Sequence, residues 1–180
     1  MAVALSIAVE AMRLADIDAV HEIERVSFTT PWPAYAFEQE LTANRLARYV
    51  VARSGLTVVG FGGVWLMVDE AHVTTIGVHP DWRRQGVGRR LLVALIDLSE
   101  ELHASRVTLE VRAGNLAAQA LYADLGFEVA GRRSNYYTDD GEDALMMTTP
   151  SLRSPEMRRL VAHARERFGR ADPTDLEDAG

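Results

Sequence analysis

Between Tyr49 and Val78, three stretches rich in β-branched and aromatic residues are separated only by Ser54-Gly55 and Asp69-Glu70. Connections this short cannot carry a chain over a sheet, so Tyr49–Ala52, Thr57–Val68 and His72–Val78 must form an antiparallel meander. Gly60, Gly62 and Gly63 weaken the middle strand and are the expected place for a bulge. His79-Pro80-Asp81 stops the run, and a helix is expected over Gly86–His103, with Val87, Leu91, Leu95, Leu98 and Leu102 on one stripe. Arg106–Arg112 then alternates, which buries Val107, Leu109 and Val111 and turns Thr108, Glu110 and Arg112 to the opposite face.

The rest of the chain reads in the same way. Ile7–Met12 alternates as a first strand, and Ile17, Val20, Ile23 and Phe28 recur at helical spacing. Pro31-Trp32-Pro33 breaks that helix, and Tyr35–Asn44 resumes it. Asn115 is an N-cap for a short helix over Leu116–Leu125, with Gly126 as its C-cap. Phe127–Val129 together with the Tyr136 region is expected as one strand and Ala144–Thr149 as the last, with an Asp-Asp-Gly-Glu turn between them. Ser154-Pro155-Glu156 starts a C-terminal helix, with Met157, Leu160, Val161, Ala164 and Phe168 on its apolar side. The acidic tail Ala171–Gly180 is expected to be disordered. The expectation is one α/β domain of the α+β type over 1–150: a mixed, mainly antiparallel twisted sheet flanked by helices. Residues 151–180 form an extension whose helix packs on the domain, pairs two protomers or touches a partner.

Composition narrows the chemistry. With 180 residues, 48% of them hydrophobic, the chain can bury a core without staples. Cysteine is absent, which excludes disulfides, zinc-thiolate sites and thiol nucleophiles. Lysine is absent too, which excludes Schiff-base chemistry and a lysine phosphate loop and leaves arginine forks for anions. The net charge of −7 argues against a nucleic-acid ligand and mildly favours basic partners. No apolar run approaches the ~20 residues of a membrane helix, and the start of the chain lacks a basic leader. A cytoplasmic location without membrane attachment is therefore expected. The five histidines show no metal spacing, and the acidic group Asp139, Asp140, Glu142 and Asp143 lacks the spacing of a calcium loop, so no metal is expected.

The segment Arg83-Arg84-Gln85-Gly86-Val87-Gly88-Arg89 joins a strand to a long amphipathic helix. Glycines there admit a ligand close to the backbone, and free amides plus the helix dipole favour a pyrophosphate, with Arg83, Arg84 and Arg89 adding charge. Taken alone, the same residues also describe a turn with a solvated arginine face. The surrounding motifs decide between the two. Ile76-Gly77-Val78-His79-Pro80, Arg-x-x-Gly-x-Gly, Leu109-Glu110-Val111-Arg112, Asn115, Ala120-Leu121-Tyr122 and Leu125-Gly126-Phe127 resemble, in order and spacing, the acetyl-coenzyme A motifs of the GNAT acetyltransferase superfamily. Asp69-Glu70-Ala71, Arg132-Arg133-x-x-Tyr136-Tyr137, Gly141-Glu142-Asp143-Ala144 and Ser27-Phe28 with Pro31-Trp32 and Phe37 are similar to its RimI branch, the bacterial ribosomal-protein-alanine N-acetyltransferases.

The resemblance implies a splayed central strand pair and acetyl-coenzyme A as donor, held by Ile76, Gly77, Val78, Arg83, Arg84, Gln85, Gly86, Val87, Gly88, Arg89 and Asn115. It implies direct attack in a ternary complex, with Glu110 as general base through water and Tyr122 as general acid. A backbone N–H near Val78, where the strand is expected to bulge and splay, would serve the oxyanion. Without the motif, Glu110 would read as an exposed strand carboxylate, Tyr122 as a packing aromatic and Asn115 as a helix cap. Phe28, Trp32, Tyr136 and Tyr137 form either an aromatic slot for a protein N-terminus or ordinary core and rim aromatics. Thr75 stands where the family usually has asparagine, which bears on the peptide contacts. The implied reaction is acetylation of a protein N-terminus, that of a ribosomal protein beginning with alanine. The rival readings are a small-amine acetyltransferase and a non-catalytic acyl-coenzyme A-binding scaffold.

Overall fold

The computed structural model describes residues 6–168. Among the described residues, seven strands form one sheet in the order β1-β2-β3-β4-β5-β7-β6. They are β1 Ile7–Ala11, β2 Ala47–Ser54, β3 Thr57–Met67, β4 Glu70–Val78, β5 Arg106–Arg112, β6 Glu128–Arg133 and β7 Ala144–Thr148. The helices are α1 Ile17–Ser27, α2 Ala34–Thr42, α3 Val87–Glu101, α4 Leu116–Asp124 and α5 Pro155–Phe168. All neighbouring strands are antiparallel except β4 and β5, which α3 joins as a parallel pair. The expected mixed, mainly antiparallel sheet flanked by helices is the fold observed.

The sheet separates two apolar clusters. One gathers Leu91, Leu92, Leu95 and Ile96 of α3 against Val50, Val59, Val107 and Leu109. The other gathers Val20 and Ile23 of α1 and Phe37 of α2 against Tyr49, Val51 and Phe61. Period-two alternation makes this division, because successive residues such as Val50 and Val51 serve opposite faces. Full burial of each large aliphatic side chain contributes ~1.5–3 kcal/mol, so α3, buried on most of its circumference, anchors the sheet. The stripe of α5 joins the α3 cluster through Met157, Val161 and Ala164, and Arg165 pairs with Asp97 of α3. The helix therefore packs on the domain. The tail Ala171–Gly180 lies outside the described residues.

Three local expectations are corrected. Phe28 is not helical: α1 ends at Ser27 and Phe28 is extended (φ −122°, ψ 144°), with its ring over Gly77. Tyr136 is not in a strand, because β6 ends at Arg133 and the chain turns at Asn135 with φ 50°. The bulge in β4 lies at Thr74, not near Val78: Gly63 pairs with Thr75 and Val64 with Val73, leaving Thr74 over. Its hydroxyl lies 3.3 Å from the Tyr49 hydroxyl, within the α2-side cluster.

Glycine in β3 is a packing requirement. A Cβ on Gly63 would lie 2.3 Å from the Tyr49 ring, which is itself held by Glu40 of α2. Gly63→Ala is therefore expected to destabilise the protein by ~1–3 kcal/mol through overpacking. Urea unfolding followed by circular dichroism checks this, and an unchanged midpoint would mean that the ring is free to swing away.

Candidate active site

The parallel pairing of β4 with β5 covers only Glu70–His72 against Arg106–Thr108. Beyond it the strands part, β4 running on to Val78 and β5 to Arg112. The His79 N–H binds the Val59 carbonyl at 2.9 Å, so alternation turns the Val78 N–H away from β3 and into the gap. That is where a thioester oxygen would need a donor.

The start of α3 lies at the mouth of the gap. Gly86 is its N-cap with φ 81°, a left-handed conformation that suits glycine, and Arg84 before it has φ 63°. The first-turn amides of a helix lack intrahelical acceptors, and here they lie in the segment Gly86–Arg89. A Cβ on Gly88 would meet Leu121 at 3.4 Å and Val78 at 3.8 Å, so this turn touches both α4 and the end of β4. Arg83 Nε donates to the Val78 carbonyl at 3.3 Å, Gln85 to the Asp81 carbonyl at 3.0 Å and Arg89 to Asp124 at 2.7 Å. Val87 is buried in the core, and Ile76 and Val78 pack against the α3 cluster. Gly77 faces the other way: a Cβ there would lie 2.6 Å from Phe61 and 3.3 Å from Phe28. Asn115 caps α4 by accepting from the Ala118 N–H at 3.1 Å. A free-amide helix start beside an open strand gap fits a pyrophosphate-bearing thioester.

Glu110 lies on the β5 face turned away from α3, with its side chain 12% exposed. Its Oε2 is 2.7 Å from His72 Nε2, and Arg133 is 3.9 Å from Oε1. The bond to His72 holds the carboxyl below its ordinary range, against the opposing effect of burial. Tyr122 of α4 packs on Phe127, with ring centres 5.8 Å apart. Burial, then the nearby Tyr137, pushes its phenol up to about 12. Burial pushes the Tyr137 phenol up, against the lowering effect of the Arg112 charge.

The four aromatic candidates occupy two loops. Trp32 packs on Phe37 at 5.7 Å between ring centres, whereas Phe28 and Tyr136 are exposed. Tyr136 meets Tyr137 edge to face at 5.2 Å, and the Arg112 guanidinium lies 3.9 Å over the Tyr137 ring. A hydrogen bond from Thr29 to Asp139 (2.6 Å) clasps the two loops together. Arg112 binds Asp139, Asp140 and Glu142, so the acidic turn is an arginine-centred network. The bond from Thr29, then Arg112, lowers Asp139 to about 2. The contribution of the clasp is therefore present above the ordinary aspartate range and is lost only as pH falls through about 2. An NMR titration of Asp139 is expected to give that midpoint; one at the ordinary 3.8 would mean an open clasp in solution.

Sequence reasoning missed His72, the Thr29–Asp139 clasp and the part played by Arg112. For His72 the available signal was its alternation with the buried Ala71 and Val73, which puts it on the same face as Glu110.

Residues 17–127 match the model of the Acetyltransferase (GNAT) family. The chain belongs to the GNAT family. A Bacillus subtilis protein named for ribosomal protein bS18-alanine N-acetylation is 45% identical over 140 residues, covering 78% of this chain and 93% of that one. The bS18-alanine N-acetyltransferase of Escherichia coli K12 is 38% identical over 144 residues, 79% of this chain and 96% of its own. A crystal structure of the Escherichia coli ribosomal-protein-S18-alanine N-acetyltransferase superposes with a TM-score of 0.75 at 35% identity, over 83% of this chain and 97% of its own. As a GNAT acetyltransferase, the chain is an acyl-transfer enzyme, and the strand gap described above is its candidate active site.

Proposed function

We propose that this GNAT enzyme transfers an acetyl group from acetyl-coenzyme A to the N-terminal α-amine of a protein, with a ribosomal protein beginning with alanine as the substrate. The observation that carries the reading is the geometry of the gap. Its mouth is the left-handed Gly86 start of α3, and the face turned away from α3 bears Glu110. Kinship with two enzymes named for bS18-alanine acetylation supports the choice of amine.

In this mechanism the first turn of α3, aided by Arg83, Arg84, Gln85 and Arg89, holds the pyrophosphate of the donor. Ile76, Gly77 and Val78 flank its arm, and Asn115 orders the start of α4. Phe28, Trp32, Tyr136 and Tyr137 line the approach of the peptide under the clasp. The Val78 amide meets the thioester oxygen, Glu110 takes a proton from the ammonium through water, and Tyr122 gives one to the departing sulfur.

The same reading divides the chain into a transferase unit, 1–150, and an extension, 151–180, packed onto it through α5. It puts the enzyme in the cytoplasm with its substrate. Among the described residues, no helix is long and apolar enough to cross a membrane.

A thiol-release assay with acetyl-coenzyme A and short peptides differing in their first residue tests the proposal. Turnover greatest with a free N-terminal alanine is expected. Turnover confined to small amines would overturn the protein substrate, and donor binding without turnover on any amine would favour the scaffold reading.

A further inference from the structure

The root of the strand gap carries a side-chain pair that the mechanism above uses only by half. On β5, Val107, Leu109 and Val111 enter the α3 core, which leaves Thr108, Glu110 and Arg112 on the opposite face. On β4, Ala71 and Val73 enter the same core, so His72 shares the face of Glu110. His72 is the last β4 residue in register with β5, opposite Thr108. It therefore stands where the strands begin to part and reaches diagonally, by one pair, to Glu110. The contact is 2.7 Å long, with the side chains only 24% and 12% exposed.

We infer that His72 and Glu110 act as one proton-accepting couple, with the imidazole taking up the charge that the carboxylate alone holds poorly; this rests on the proposed transfer to an N-terminal amine. A carboxylate held in ionised form by an imidazole and a nearby guanidinium is a weak base towards an ammonium, whereas an imidazole is better matched to the task near neutral pH. The pairing also fixes the ring, because an Nε2–H donating to Oε2 leaves Nδ1 as the acceptor. The charged and titratable neighbours of the couple are Arg133 on β6, Tyr137 after it, and Glu40 of α2, which binds Trp65, the β3 residue opposite His72.

The step balances. In becoming an amide the ammonium loses two protons while its nitrogen forms the bond to the acetyl carbon and the C–S bond breaks. One proton is held by the couple, which goes from carboxylate and imidazole to carboxylate and imidazolium, and then passes to solvent. The other replaces the proton that Tyr122 gives to sulfur. Because Nε2 already carries the proton given to Glu110, the proton is taken up at Nδ1 and reaches the ring through water, not through the carboxylate; His72 is a positioning and proton-holding residue.

The test compares wild type, His72→Gln, Glu110→Gln and the double variant on an alanine-initiated peptide with acetyl-coenzyme A. Glutamine keeps an N–H towards Glu110 but cannot accept a proton. His72→Gln is expected to lower kcat by ~10- to 10²-fold with both KM values within about twofold. The acid limb of its kcat/KM profile should move down towards the carboxylate range. The double variant should be no slower than the slower single variant, as for residues acting as a unit. A His72→Gln enzyme within about twofold of wild type, or losses that multiply, would overturn the couple. Nitrogen-15 spectra of the wild type give an answer that needs no folded variant. A single ring proton on Nε2 of His72 at the assay pH is expected, and a doubly protonated ring there would overturn it. Wild type that acetylates no peptide would sink the N-terminal reading and the couple with it, whereas active wild type with a silent His72 variant sinks the couple alone.

Discussion

Tyr122→Phe is expected to lower kcat by ~10²- to 10⁴-fold while leaving affinity for acetyl-coenzyme A nearly unchanged. The substitution removes one oxygen and keeps the ring, so packing on Phe127 and on the α3 core persists. Burial, then the neighbouring Tyr137, holds the phenol at about 12, so it carries its proton at any working pH and is able to give it. Steady-state kinetics with calorimetric donor affinity check the prediction. Lost affinity with unchanged kcat would make Tyr122 a packing residue.

Gly86→Val is expected to weaken acetyl-coenzyme A binding by a factor on the order of 10² or more, because each backbone bond to a charged group is worth ~1.5–3 kcal/mol and the proposed phosphate site is built from the amides of this turn. Gly86 has φ 81°, where a β-branched residue is a genuine outlier, so valine would move the start of α3 and scatter the amides proposed to hold the phosphates. The helix itself, held by Leu91, Leu92 and Leu95 in the core, should survive. The expected signature is loss of calorimetric donor binding with cooperative unfolding retained. A valine variant that still binds would remove the pyrophosphate from the start of α3.

Where a signal was local, the chain could be read closely. Strand β5 occupies Arg106–Arg112 as its alternation required, and α4 begins at an Asn115 cap and is followed by Gly126 at φ 88°. Local patterning failed where it ran past the point at which packing ends an element. Phe28 continues the helical spacing of α1, yet its ring is drawn over the bare backbone of Gly77, and the chain leaves the helix to put it there. Tyr136 follows β6 closely enough to read as strand, but the Asp143 carboxylate, binding Arg132 and the Asn135 N–H, folds that end into a turn. Of the candidate site residues, those carried by motifs were legible: the Gly86 turn, Glu110, Asn115 and Tyr122. The environment of each was not.

By itself the sequence determined the elements, the antiparallel meander and the glycine turn that starts α3, because each depends on residues a few positions apart whose conformational preferences and periodicity act locally. Only the tertiary structure decided that β4 and β5 part beyond His72, that His72 meets Glu110 across that gap, and that Thr29 clasps Asp139. Those pairs span 38 and 110 residues, as the numbering gives. Their meeting depends on the register that α3 imposes when it packs across the sheet and returns the chain as β5. No local preference encodes that register; the burial of both apolar faces of the sheet selects it.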